Sequence, residues 1–192
     1  MSLWHSFAVH VSNLTQQIVA INPQDCRIYT LADSPGASRF AISKHGEMTQ
    51  INAYLTFNGN CREAMTFYQA CLGGELSMQT VEGSPMENEM PVGAKQKILH
   101  ASLMKDCLVL LGSDMVGPEG VVKGNTISLS LNCNSESEIK AFFSNLSAGG
   151  QIVHPLHEFF AGTMGTLTDK FERDWLLYYE KKSNYQTVLV AN

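Results

Sequence analysis

The sequence predicts an α+β protein made of two like βαβββ modules. Two observations carry that prediction: a strand–helix–glycine unit that occurs twice, and the alternating runs that follow each copy. The first copy is Ile51 to Gly74, INAYLTFNGNCREAMTFYQACLGG, and the second is Thr126 to Gly150, TISLSLNCNSESEIKAFFSNLSAGG. A single offset sets Gly73 on Gly149, Phe67 on Phe143 and Leu55 on Leu131. Matching strands, caps and stops at one offset read as an internal duplication rather than as chance likeness.

In the first copy Ile51, Ala53, Leu55 and Phe57 alternate with Asn52, Tyr54, Thr56 and Asn58, the period of a half-buried strand. Ala64, Phe67, Tyr68, Cys71 and Leu72 then fall at i, i+3, i+4, i+7 and i+8, one stripe of a helix. Asn60 and Glu63 have capping-box spacing, and Gly73-Gly74 permits the left-handed backbone that ends a helix. Glu75 to Glu82 alternates as a strand, and Gly83 to Lys95 is a polar, Met-containing loop. Lys97 to Met104 is a further strand, with Ile98, His100, Ser102 and Met104 on one face. Lys105-Asp106 fits a tight turn into a strand over Cys107 to Gly112, and Val116 to Gly124 reads as a linker.

The second module repeats the plan. Ile127, Leu129 and Leu131 alternate with Thr126, Ser128 and Ser130, and Ile139, Phe142, Phe143 and Leu146 form the helical stripe. Ser135 with Glu138 is the capping box, and Gly149-Gly150 is the stop. A strand near Gln151 to His154, a loop rich in aromatics and glycine (Phe159 to Gly165), and strands near Gly165 to Thr168 and Trp175 to Glu180 follow.

Residues 1–47 mix short apolar runs with turn residues, and His5, His10 and His45 stand there singly. Ser34-Pro35-Gly36 is a turn signal, so Arg27 to Ala32 and Arg39 to Ser43 are expected to pair as a hairpin. Met48 directly precedes the first module strand. The functional domain is therefore expected over 48–182, with modules 48–115 and 125–182 and a tail over 183–192. Residues 1–47 are either an appendage or an upstream-start artefact.

The chain has 192 residues, enough for one good core or two small ones. With 44% hydrophobic and 16% charged residues it has a globular balance, and a net charge of −5 gives nucleic acid or an anionic membrane no electrostatic support. No apolar run approaches the roughly 20 residues of a membrane span. The amino end lacks the basic region and apolar block of a secretory signal. Five cysteines, odd in number and without CxxC spacing, point to reduced thiols in a cytoplasmic protein. Cys71, on the apolar stripe, reads as a core thiol.

With its opening YLTFNGNCREAMTFY and its closing LTDKFERDW, the tandem repeat resembles the glyoxalase/bleomycin-resistance/dioxygenase superfamily, also called vicinal oxygen chelate. Within it the chain is most similar to the PhnB-like branch, sometimes labelled demethylubiquinone methyltransferase-like. The matching features include FNGNCREA, HASL (His100 to Leu103), LLGSD (Leu110 to Asp114), HPL and LTDKF before Trp175. The resemblance covers roughly Met48 to Lys182. Two departures stand out: Glu172 follows Phe171 where the family pattern usually has Gly, and Phe159-Phe160-Ala161-Gly162 replaces a frequent Phe-Trp-Gly.

The resemblance implies modules that form a curved mixed sheet around a pocket, with the helices outside. Metal-using members place His, Gln or Glu on the first and last strand of each module. Here those strands offer Ala53 or Tyr54, Thr126 or Ser128, Leu110 or Leu111, and Leu177 or Tyr178, so neither register supplies an imidazole and carboxylate quartet. No metal and no cofactor are therefore expected. In His154-Pro155-Leu156-His157-Glu158 a spacing of three places the imidazoles on opposite faces of a strand, and the motif is not a helical HExxH. Both histidines read as rim or surface residues.

There is no nucleophile elbow, P-loop or GxGxxG, and the methyltransferase label would require a glycine-rich loop that the chain lacks. Asp114 and Asp169 follow strand ends and read as turn or cap residues. His100, at a family position, is a pocket acid/base or hydrogen-bond donor, or else a satisfied structural histidine. Trp175, Phe159 and Phe160 line an aromatic pocket or pack the core.

The resulting expectation is a cytoplasmic homodimer that binds a small, partly apolar molecule without a metal. Tyr54, Thr56, His100, Ser113, Ser128, Phe160 and Trp175 are the expected ligand residues, and no catalytic residue is assigned. The alternative is a metal-dependent lyase, isomerase or dioxygenase with a non-standard site.

Overall fold

The computed structural model describes residues 51–181, except for the side chain of Val92, together with the backbone of four earlier strands. Those strands are β1 (Ala8–His10), β2 (Val19–Asn22), β3 (Arg27–Leu31) and β4 (Phe40–Ser43), paired antiparallel in chain order. The expected hairpin is present, with Ile28 opposite Ser43 and Leu31 opposite Phe40. His5, Cys26, His45, Met48 and the tail over 183–192 lie outside the described residues, as does the side chain of His10.

The first module runs β5 (Ala53–Thr56), α1 (Cys61–Leu72), β6 (Glu75–Thr80), β7 (Ile98–Lys105) and β8 (Leu108–Ser113), with a 3-10 turn at Val92–Ala94. Its sheet order is β5-β8-β7-β6, parallel between β5 and β8 and antiparallel elsewhere. The second module runs β9 (Leu129–Cys133), α2 (Glu136–Leu146), β10 (Gln151–Phe159), β11 (Gly162–Thr168) and β12 (Asp174–Glu180). Its order, β10-β11-β12-β9 with β12 parallel to β9, is the same topology. Both modules are thus βαβββ, as expected from the repeat.

Each helix lies on one face of its own sheet. Cys61, Ala64, Met65, Tyr68, Cys71 and Leu72 are the buried residues of α1, and Ile139, Phe143 and Leu146 those of α2. They meet the inward-facing residues Ile98, Ala101, Leu103, Leu110, Leu167 and Leu177 in one continuous core. Gly112 lets β8 approach α1, because a Cβ there would sit 3.2 Å from Met65 Sδ and 3.2 Å from Phe57 Cε2. The helices also pack on each other, and Asn145 Nδ2 donates to the Cys71 carbonyl at 3.4 Å. Truncating one of these aliphatic side chains to Ala costs about 2–5 kcal/mol.

The helix ends hold one expected cap and one correction. Glu138 N donates to Ser135 Oγ at 3.1 Å and Asn134 N to Glu138 Oε2 at 2.6 Å, which satisfies the start of α2. Asn60 makes no side-chain cap bond. The first turn of α1 is capped from across the module instead: Asp114 Oδ1 accepts from Gly59 N and Cys61 N, both at 2.9 Å, and Oδ2 from Ile98 N at 2.9 Å. A carboxylate aimed at a helix N-terminus also meets the positive end of the helix dipole. At the other ends Gly73 and Gly149 have φ of 78° and 77°, the left-handed backbone expected of the stops.

Several strands differ from the alternation-based reading. β9 begins at Leu129, so Ile127 is 79% exposed and Cys133 takes an inward position. β10 continues to Phe159, which turns the expected loop over Phe159 to Gly165 into a tight hairpin with β11. A bulge between Gln79 and Thr80 lets Ile98 turn into the core instead of sharing a face with His100. Cys61, Cys71 and Cys133 are free and buried, whereas Cys107 is disulfide-bonded, which corrects the expectation of reduced thiols throughout. Among the described residues no helix is long and apolar enough to cross a membrane.

Candidate functional site

The strand register of the first sheet decides which side chains can meet a ligand. Tyr54 lies opposite Leu111, Leu111 opposite Ser102, and Ser102 opposite Ser77. Thr56 lies opposite Ser113, and His100 opposite Gln79. Paired residues share a face, so these groups form the face of the sheet turned away from α1. The other face carries Leu55, Ala101, Leu103 and Leu110 into the core.

On the open face the rings of Tyr54 and His100 reach diagonally across β8, with centroids 6.0 Å apart and planes at 34°. Tyr54 is 51% exposed, far more than a packed aromatic, and His100 is exposed as well. Met104 at 52% exposure extends the apolar surface, while Ser77, Gln79 and Ser102 supply hydroxyl and amide groups. Ser113 is in register beside Thr56 but is buried, and its hydroxyl accepts from Met115 N at 3.3 Å. Four expected ligand residues, Tyr54, Thr56, His100 and Ser113, are therefore neighbours on one sheet.

The other three are not brought to them. Ser128 is exposed on the segment before β9. Phe160 is fully exposed at the tip of the β10–β11 hairpin, where its ring meets Phe159 edge to face, centroids 5.3 Å apart. Trp175 points inward, because the alternation of β12 sends Trp175 and Leu177 to the core and Leu176 and Tyr178 to the opposite face. Its indole Nε1 donates to Asp169 Oδ2 at 2.7 Å, and Tyr68 OH donates to the same oxygen at 2.7 Å. Asp169 Oδ1 accepts from Phe171 N at 2.8 Å and Arg173 N at 3.0 Å. Asp114 thus caps α1 from the end of β8, and Asp169 holds the turn between β11 and β12, the cap and turn roles that their places after strands suggested.

Among the described residues no three His, Cys, Asp or Glu side chains are grouped so as to hold a metal ion. The pair His154 and His157 departs from the expected alternation. Bulges in β10 set His154 opposite Thr166 and His157 opposite Met164, so both imidazoles fall on the same face. His154 Nδ1 is 2.8 Å from Thr166 Oγ1, and His157 Nδ1 is 3.0 Å from the Pro155 carbonyl. The free thiols are poor nucleophiles. Burial pushes Cys61 and Cys133 up to about 12 and Cys71 to about 11, so all three stay neutral near pH 7.

Gln79 went unnoticed in the sequence, because only its pairing with His100 places it at the site. Arg173 carried no signal at all. Its guanidinium carbon sits 5.0 Å above the centre of the Phe57 ring, and Nη2 donates to the Thr56 carbonyl, tying the second module to the site strand.

A family model described as 3-demethylubiquinone-9 3-methyltransferase matches residues 49–178. The chain belongs to that family. Protein YjdN of Escherichia coli (strain K12) is 30% identical to it over 149 residues, 71% of this chain and 99% of that protein. The crystal structure of protein PA1353 from Pseudomonas aeruginosa is 38% identical, covering 69% of this chain and 98% of that one with a TM-score of 0.60. The PhnB protein of Bacillus cereus is 25% identical, covering 68% and 99%, with a TM-score of 0.55. The demethylubiquinone methyltransferase family member described here is thus PhnB-like, and its paired βαβββ modules have the topology that the resemblance implied.

Proposed function

We propose that this chain binds a small, partly apolar molecule, without a metal, on the open face of its first sheet. The observation that carries the reading is the exposed Tyr54–His100 ring pair, set among Thr56, Ser102 and Gln79. An aromatic plane beside a few fixed polar groups is the usual composition of a small-molecule site. Ser128 and Phe160 of the second module would join only if another segment or subunit carries them there. The homodimer and the cytoplasmic location belong to the same proposal.

The test is a thermal-shift screen of small aromatic and amphipathic compounds, followed by titration of the hits. A ligand at about 100 times its Kd stabilises the native state by about 2.7 kcal/mol, a readily measured rise in Tm. Tyr54→Ala and His100→Ala should each weaken a hit at least tenfold, while EDTA leaves the affinity unchanged. Hits indifferent to both substitutions would overturn the placement, and hits lost in EDTA would overturn the metal-free reading. Sedimentation equilibrium reads the dimer directly.

A further inference from the structure

A cavity of about 450 Å³ opens at the junction of the modules, where the end of β5 meets the turn between β11 and β12. Phe57 and Phe171 form its apolar wall, edge to face at 85° with centroids 6.5 Å apart. Its polar lining includes Asn58, Asn60, Lys123 and Arg173, two cations and no carboxylate. In a chain of net charge −5 this is a local reversal of sign.

Arg173 is the informative group. Its guanidinium is held in place by the Phe57 ring beneath it and by the Thr56 carbonyl that accepts from Nη2. That single side-chain bond leaves most of its five N–H donors unused, and Nε is buried with no partner among the described residues. No carboxylate lies within ion-pair distance of the guanidinium among the described residues. The nearby acids are committed elsewhere: Asp169 to Tyr68, Trp175 and two backbone amides, and Asp114 to the amides of Gly59, Cys61 and Ile98. Lys123 is paired with Glu172, but both side chains are at least half exposed, so solvent screens the pair and a ligand can compete for the ammonium. A half-buried, oriented and unpaired guanidinium is a costly arrangement unless an anion completes it.

We propose that this junction cavity binds a small oxyanion, the carboxylate or phosphoryl group of a small molecule. Arg173 is the principal donor, Lys123 the rim cation, and Asn58 and Asn60 neutral donors; Phe57 and Phe171 receive the apolar remainder of the ligand. A planar guanidinium suits oxyanion geometry better than an ammonium. The cavity adjoins the open sheet face at Thr56, which lines both, and the proposal does not depend on that assignment.

The experiment titrates the full chain with inorganic phosphate and, separately, with acetate, at ionic strength fixed by chloride, following backbone amide NMR signals. One saturating site is expected, with the largest shifts at Asn58, Asn60 and Phe171 and none at His100. Saturation by phosphate alone identifies a phosphoryl ligand, and saturation by acetate identifies a carboxylate. Arg173→Lys should weaken binding about tenfold, and Lys123→Gln severalfold. Lys123→Gln and Asn58→Ala alter exposed residues, so they keep the test valid if the Arg173 variant unfolds. Shifts linear in concentration for both anions, an affinity unchanged in Lys123→Gln and Asn58→Ala, or shifts centred on His100 would each overturn the proposal.

Discussion

Asp169 shows how much one side chain can settle. It is 2% exposed, and its two oxygens accept from Tyr68, Trp175 and two backbone amides. Removing it strands donors from both modules at once, and each stranded donor costs about 1–3 kcal/mol. Asp169→Ala should therefore lower stability by about 3 kcal/mol or more in urea denaturation, and Tyr68→Phe by about half as much. Glu172 is the opposite case. It holds a φ of 59°, a left-handed conformation that an L side chain adopts at a cost and glycine adopts freely. That geometry suits the glycine that the family resemblance implied at this position. Glu172→Gly should leave stability unchanged or raise it by up to about 1 kcal/mol, since the Lys123 pair it removes is exposed. A melting temperature lowered by several degrees would refute this.

At the scale of elements, two helices with the same sequence signature start by different means. Ser135 and Glu138 form a local cap, so Ser135→Ala should cost about 1 kcal/mol. Asn60→Ala should be nearly silent, because its side chain makes no cap bond. Asp114→Ala should cost more than either, since three buried or half-buried amides lose their acceptor. Equilibrium denaturation of the three variants checks the order. The capping-box spacing at Asn60 was legible and misleading: the box competes with a carboxylate that the fold delivers from the end of β8. The shift of His154 and His157 to one face has the same character, since a bulge is set by pairing with β11 and leaves no mark in the alternation of β10.

At the scale of the whole molecule, the two modules share a core and a set of buried weak acids. Cys61, Cys71 and Cys133 are raised from 9.0 to about 12, 11 and 12, chiefly by burial, and burial with the Asp169 carboxylate raises Tyr68 as well. Their folded values lie above their unfolded ones, so the stability they contribute is complete below about pH 9. It is lost as pH climbs through the folded values. Melting temperature should fall between pH 9 and 12, and the three free thiols should resist a thiol reagent at pH 8 until the protein is unfolded. Rapid labelling of the native protein would show that the core is more open than its packing indicates. A single cooperative transition is also expected, because Tyr68 on α1 and Trp175 on β12 meet on one carboxylate.

The sequence by itself determined the architecture: period-two runs, helical stripes and paired glycine stops are local consequences of backbone geometry, and their repetition announced the two modules. It also placed Tyr54, Thr56 and His100 on strands of one module. Tertiary structure alone decided which of the expected residues face one another. Register across β5, β8, β7 and β6 joined His100 to Gln79 and Tyr54, while the inward turn of β12 took Trp175 into the core. The physical reason is that alternation fixes which residues share a face of one strand, whereas the meeting of strands distant in sequence is fixed by pairing, bulges and core packing.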